Sequence, residues 1–189
     1  MESYIIPGIV IVIAIFFIYS YNRLISLRNM ANNAWANIDT LLQKRFDLVP
    51  NLVNTVKGYM EHEREILEAI TRARAAWMSA ASINDNAGAD RMATGALKTL
   101  FAVAENYPEL KANQNFLLLQ EELAGIENKI AYARRRYNTT VMVLNTAIQR
   151  FPTNLIANLF KFKPMDYYAL ESEQAREAPT VNLEGGEKR

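Results

Sequence analysis

The chain has 189 residues and no cysteine, which excludes disulfide bonds, thiolate metal sites and cysteine nucleophiles. Its formal net charge of +1 provides no overall field that would recruit nucleic acid. Glycine and proline are few, and no alternating apolar segment lies between turn signals. The composition and patterning therefore predict an all-α protein.

The most apolar stretch lies near the start of the chain and carries no charged residue. Together with the flanking tyrosines it has about 18 residues, or about 27 Å of helix, which approaches the roughly 30 Å of a hydrocarbon core. We expect it to be a transmembrane helix. The residues expected in the bilayer are Ile5, Ile6, Ile9, Val10, Ile11, Val12, Ile13, Ile15, Phe16, Phe17 and Ile18.

Other readings of this stretch fit less well. A signal peptide needs a basic start and a small-residue cleavage site, but the chain starts Met1-Glu2-Ser3 and the stretch ends in bulky residues. A buried helix of a soluble protein rarely runs so long without a polar face. Arg23 and Arg28 follow the stretch and no basic residue precedes it. The predicted orientation is therefore N-terminus outside and the rest of the chain in the cytoplasm.

Four helices are expected after the membrane span. Apolar residues at spacings of three and four predict the first from about residue 22 to 45. A tight turn is predicted near Phe46, with Asp47 as the N-cap of the second helix and Pro50 in its first turn. One helix running through Pro50 is the rival interpretation. It is rejected because a rod from residue 22 to 82 would be about 90 Å long, with nothing to cover it.

The second helix is predicted to end near Ala81, before a loop over residues 82–89. Asp90 is expected to cap the third helix, and Pro108 to interrupt it. The fourth and longest helix is predicted from its cap at Asn113 to about residue 150. Short connections imply an antiparallel four-helix bundle with long helices. The predicted divisions are 1–21 (N-terminus and span), 22–151 (bundle), 152–170 (an apolar and basic segment) and 171–189 (a polar, disordered tail).

Several motifs in the chain, at matching spacings, resemble those of the LemA family. They are the residues 34–39 (AWANID), 44–59 (KRFDLVPNLVNTVKGY), 105–112 (ENYPELKA), 133–138 (ARRRYN) and 151–157 (FPTNLIA). Leu144-Asn145 departs mildly, because an aromatic residue before that Asn is commoner in the family. The resemblance implies a bacterial inner-membrane protein with one N-terminal span and a cytoplasmic helical bundle. It implies no settled activity. Some relatives are encoded beside membrane metalloproteases, and one takes part in forming magnetosome membranes.

Sequence motifs for catalysis are lacking. The single histidine, His62, cannot supply the two that a zincin helix or a di-iron bundle requires. No Gly-x-Ser-x-Gly elbow accompanies it, and no glycine-rich phosphate loop is found. Arg134, Arg135 and Arg136 point in different directions on a helix and form no single basic patch.

We therefore expect no catalytic, cofactor-binding or metal-binding residue and no nucleic-acid partner. The predicted function is a membrane-anchored protein that acts through protein–protein or protein–membrane contacts, as a self-assembling scaffold. The alternative is an adaptor or accessory subunit of a membrane metalloprotease, and a hydrolase of unrecognised type is a third hypothesis. The expected partners are the lipid bilayer, further copies of the chain, and the protease in the alternative case.

Two further sites are predicted. Glu63 is the one charge on the apolar stripe of the second helix, and helix arithmetic places it level with residues 130–135. Arg134 is its predicted partner, with Arg135 as the second choice. A solvent-facing Glu63 is the alternative. Beyond the fourth helix, aromatic and basic residues alternate. They are expected to contact the membrane surface or a neighbouring copy, or else to fold back and plug the chain's own bundle. These residues are Leu159, Phe160, Lys161, Phe162 and Lys163.

Overall fold

A computed structural model describes residues 5–168, and within that range the fold is all-α, as predicted. Six helices follow one another along the chain. They are α1 (Ile5–Lys57), α2 (Arg64–Met78), α3 (Ile83–Ala104), α4 (Pro108–Lys111), α5 (Gln114–Gln149) and α6 (Thr153–Leu159). α1 packs along α5, and α2 forms a hairpin with α3. The predicted polar tail 171–189 lies outside the described residues.

The predicted turn near Phe46 is wrong, because α1 continues without a break through Pro50 to Lys57. Pro50 has no N–H to offer the carbonyl of Phe46, which would normally leave that carbonyl without a partner. Arg74 of α2 supplies the missing donor, with Nε 3.2 Å from the Phe46 oxygen. A side chain from a neighbouring helix thus supplies the hydrogen bond that the carbonyl four residues before a proline usually lacks.

The length of α1 is matched by α5. Residues 22–57 of α1 and residues 114–149 of α5 each number 36, which gives about 54 Å of helix apiece. The objection that nothing could cover a long first helix therefore fails. The chain turns at residues 58–63, and α2 leads back towards the end of the bundle from which the apolar start of α1 projects. This end is called the membrane end below.

The third helix also begins earlier than predicted. Ser82 is its N-cap and accepts a hydrogen bond from the backbone N–H of Asp85 at 3.1 Å, and the helix continues through the predicted loop. Asp90 is consequently inside α3 rather than at its cap. Asn113 caps α5 as predicted, through its side-chain oxygen and the N–H of Phe116 at 3.1 Å.

The α2–α3 hairpin is shorter than the α1–α5 pair, with helices of 15 and 22 residues. The remaining groove near the membrane end is filled by α6 and by residues 161–168. Asn145 donates to the Met165 carbonyl and accepts from its N–H, both at 2.9 Å. Asn138 makes the same pair of bonds with Tyr168, at 3.0 and 2.8 Å. The segment 161–168 therefore runs back along α5, away from the membrane end.

Candidate functional site: buried charges and the membrane-proximal end

A buried charge network joins three helices in the middle of the bundle. Arg45 of α1 is 2% exposed, and its Nη1 lies 2.7 Å from Asp90 Oδ1 and 2.9 Å from Glu127 Oε2. Arg134 of α5 contacts the other Asp90 oxygen at 2.7 Å. Arg45 also donates to the Thr94 hydroxyl at 3.0 Å. These contacts offset part of the desolvation of the charges, because the Nε atoms of Arg45 and Arg134 remain buried without a partner.

The C-terminal segment closes this network. The Tyr168 hydroxyl, itself buried, donates to Asp90 Oδ2 at 2.6 Å. Burial and the neighbouring Asp90 carboxylate raise the pKa of Tyr168. Nearby, the Tyr137 hydroxyl donates to the Asp166 carbonyl at 2.8 Å, and burial raises the pKa of Tyr137 to about 12. Residues 161–168 are therefore held to the bundle by both side-chain and backbone bonds.

Asp90 is fully engaged and has little freedom to act in proton transfer. Its two oxygens accept from Arg45, Arg134 and Tyr168, and it is 1% exposed. Within residues 5–168, no group of three or more metal-ligating side chains is placed to hold an ion. His62 lies exposed in the turn after α1. The network is suited to holding structure together.

The predicted ion pair between Glu63 and Arg134 does not form. Glu63 directly precedes α2 at the membrane-distal end, where it accepts from the Tyr107 hydroxyl at 3.4 Å. Arg134 instead pairs with Asp90. The error follows from the misplaced turn: moving the turn from Phe46 to residues 58–63 shifts Glu63 from the middle of a helix to its beginning.

Sequence reasoning missed Arg45, Asp90 and the two asparagines Asn138 and Asn145. One signal was present, because Asp90 lies three residues before Ala93 on the apolar stripe of α3. A carboxylate at such a position requires a partner if it is inside a helix. The prediction of Asp90 as a helix cap placed it at a helix end, where its carboxylate needs no charged partner. The asparagines bind the backbone of a segment without any periodic pattern, so no spacing indicated them.

The predicted membrane-contact residues divide between two surroundings. The Phe160 ring packs on Phe17 and Tyr21 of α1, with ring centres 5.8 and 4.6 Å apart. The Phe162 ring centre lies 6.1 Å from that of Tyr21. The Arg28 guanidinium lies 5.3 Å from the centre of the Phe162 ring. These aromatic residues contact the chain's own first helix, as the fold-back alternative expects. The first helix is thereby tied to the C-terminal segment where it leaves the bundle.

The other face of this region points outwards. Leu159 is 65% exposed, and Phe151 and Leu155 are exposed beside it. Lys161 and Lys163 are exposed as well. Lys161 adopts a left-handed backbone with φ of 56° at the end of α6. There the N–H of Phe162 bonds to the Ala157 carbonyl at 2.8 Å, as in a Schellman motif, whose usual residue is glycine.

The apolar start of α1 projects from the bundle with its residues largely exposed. Among the described helices, only α1 is long and apolar enough to cross a membrane. A core helix of a soluble protein would be buried, and this one is not. Phe17 alone of the predicted span residues is half-buried, against Phe160. The fold and this helix define a membrane-associated, all-helical protein.

A family model agrees with that class. The model of the LemA family matches residues 34–183, which is most of the chain, and the chain belongs to this family. Protein LemA of Metamycoplasma hominis is 27% identical over 173 residues, which cover 89% of this chain and 75% of that protein.

Magnetosome proteins are also similar. Magnetosome protein MamQ of Magnetospirillum gryphiswaldense is 22% identical over 78% of this chain, and the match spans 64% of MamQ. Magnetosome protein MamQ 2 of Paramagnetospirillum magneticum is 22% identical over 85% of this chain and 68% of its own length.

Proposed function

We propose that this protein is a non-enzymatic membrane scaffold whose bundle rests with its α6 end on the bilayer surface. The observation that carries the proposal is the exposed apolar and basic face of α6 and residues 159–163, at the end where α1 leaves the bundle. Leu159 and Phe151 would enter the interfacial region, and Lys161 and Lys163 would meet anionic headgroups.

The backbone of Lys161 supports this role. A residue with a side chain in the left-handed region is disfavoured by about 1 kcal/mol relative to glycine. A lysine at such a position favours a use for its ammonium group, because an observed outlier is a reason to look for function. The lysine holds its charge beside the exposed Leu159.

Fluorescent labelling can test this contact, because the chain has no cysteine and a single introduced one is the only labelled site. Leu159→Cys and Leu118→Cys form a matched pair, since these leucines are 65% and 64% exposed at opposite ends of the bundle. Both variants carry an environment-sensitive nitrobenzoxadiazole label and are reconstituted in vesicles with anionic lipid. We expect blue-shifted emission only at position 159. Equal emission at both positions would refute the membrane contact.

Orientation is part of the proposal. We place the bundle in the cytoplasm and the N-terminus outside the inner membrane of a bacterium, because Arg23 and Arg28 follow the span and no basic residue precedes it. Protease added to intact spheroplasts should then leave the bundle uncut. Digestion of the bundle under these conditions would reverse the orientation.

Self-assembly and partner binding are the remaining elements. A scaffold would form contacts between copies, and the similarity to magnetosome proteins favours a role at a membrane. Chemical cross-linking in intact membranes separates the two hypotheses. Cross-links between copies support the scaffold, whereas a cross-link to a membrane metalloprotease would favour the adaptor alternative.

A further inference from the structure

A cavity of about 560 Å³ lies between α1 and the end of α5, next to the apolar start of α1. Its walls are of two kinds. Phe16 and Phe151 supply apolar surface, and Arg23 of α1 and Arg150 after α5 supply two guanidinium groups. Ser20, which is 3% exposed, also lines the cavity. This cavity thus combines two guanidinium groups with apolar walls.

The two arginines of this cavity have no ion-pair partner among residues 5–168. Across residues 5–168, neither Arg23 nor Arg150 lies within ion-pair distance of a carboxylate. Arg23 and Arg150 are exposed, whereas the buried Arg45 and the half-buried Arg134 are both paired with carboxylates. The two cavity arginines are therefore available to an external anion.

The cavity's position relative to the bilayer indicates which anion. Phe16 belongs to the predicted span, and Arg23 follows it by seven residues, or about 10 Å of helix. The headgroup region on one side of a bilayer is about 5–8 Å thick. The cavity therefore extends from the acyl-chain level, at Phe16, through the headgroup level, at Arg23. A lipid fits this arrangement, with its chains beside Phe16 and Phe151.

We propose that the cavity binds the phosphate group of one anionic phospholipid of the adjoining leaflet, between Arg23 and Arg150. Arginine binds phosphate through paired N–H donors, which gives short charge-assisted bonds. Ser20 and Thr146, also in the lining, offer hydroxyl groups to the headgroup. The inference rests on the membrane anchoring in the proposed function and is independent of self-assembly and of the Leu159 contact.

The test measures binding of phosphatidylglycerol to the full-length chain in a neutral detergent by native mass spectrometry. We expect one phosphatidylglycerol to bind saturably and phosphatidylcholine to bind much more weakly. Arg23→Gln combined with Arg150→Gln should lower the phosphatidylglycerol affinity about tenfold or more. The matched control is Arg135→Gln with Arg136→Gln, which removes the same charge at exposed positions of α5 outside the cavity and should leave this affinity unchanged.

Each other result counts against the proposal. An unchanged affinity in the arginine variant, or equal binding of both lipids, would refute the site. A comparable loss in the Arg135 and Arg136 control would mean general attraction to charge rather than a site. Displacement of the lipid by millimolar inorganic phosphate would instead identify a soluble phosphate compound as the ligand. Circular dichroism of the arginine variant verifies folding, and Arg23→Lys with Arg150→Lys should retain part of the affinity.

These outcomes also separate the inference from the proposed function. Loss of the blue shift at position 159 with retained phosphatidylglycerol binding would refute the surface contact and leave the lipid site standing. The reverse pattern would refute the lipid site alone.

Discussion

Replacing Asp90 by Asn perturbs the bundle at the point where most of its elements meet. The substitution keeps the shape of the side chain and removes its charge. Asp90 Oδ1 accepts from Arg45 at 2.7 Å, and Oδ2 accepts from Arg134 at 2.7 Å and from Tyr168 at 2.6 Å. In the variant, an amide NH₂ replaces one oxygen and faces donors rather than acceptors.

The magnitude follows from the burial of the partners. Arg45 is 2% exposed, and its remaining carboxylate contact would be Glu127, which is 33% exposed and shared with Arg134. Removing one partner of a buried ion pair destabilises a protein by about 3–5 kcal/mol, because the other charge stays buried. For a chain of this size, that predicts a fall in melting temperature of about 6–20 °C.

Thermal unfolding followed by circular dichroism in a mild detergent measures the effect. Asp39→Asn makes the same chemical change at an exposed position of α1 and should alter the free energy of unfolding by less than about 0.5 kcal/mol. Tyr168→Phe removes one hydrogen-bond donor and leaves every charge paired. Its loss of free energy of unfolding should lie between those of Asp90→Asn and Asp39→Asn. If Asp90→Asn and Asp39→Asn have the same melting temperature, the network contributes no stability and the reasoning is wrong.

Three further predictions concern other contacts. Arg74→Met should lower the free energy of unfolding by about 1–3 kcal/mol. The loss should be clearly smaller in a Pro50→Ala background, where an N–H replaces the lost donor. Chemical denaturation of the unsubstituted chain, both single variants and the double variant measures the coupling energy between the two positions. Lys161→Gly should raise the free energy of unfolding by up to about 1 kcal/mol, and a lower stability would contradict the strain inferred there. Because Tyr137 and Tyr168 have raised pKa values, their contribution to stability should be fully present below about pH 10 and be lost as pH rises towards 12. Phe at either position should reduce that loss, measured by denaturation at pH 8 and 11.

Local signals predicted part of this fold well. Leu123, Ile126, Ile130, Ala133 and Tyr137 of α5 are buried, and they follow one another at the spacings of three and four that are typical of one helix face. The cap at Asn113 was equally readable, because its side chain satisfies an N–H three residues ahead. Both features depend on residues that are neighbours along the chain, so the sequence was sufficient to find them.

The course of α1 could not be found in the same way. Proline rules consider only the helix that contains the proline, and Pro50 normally ends or kinks one. Here the free carbonyl of Phe46 is satisfied by Arg74, which lies 28 residues further along the chain. That partner is known only after α2 has been placed. The length objection also failed, because α1 ends at Lys57 rather than continuing to residue 82. The misplaced turn then misplaced Glu63, so one error accounts for two wrong predictions.

The C-terminal segment shows a further limit of pattern reading. Residues 161–168 have no helical period, and the chain's own core determines where they lie. The α2–α3 hairpin covers only part of the long α1–α5 pair, which leaves a groove that another segment must fill. Asn138 and Asn145 face that groove and bind the backbone of Tyr168 and Met165. Because Tyr168 also reaches Asp90, the same contacts join the surface near the membrane to the buried centre of the bundle.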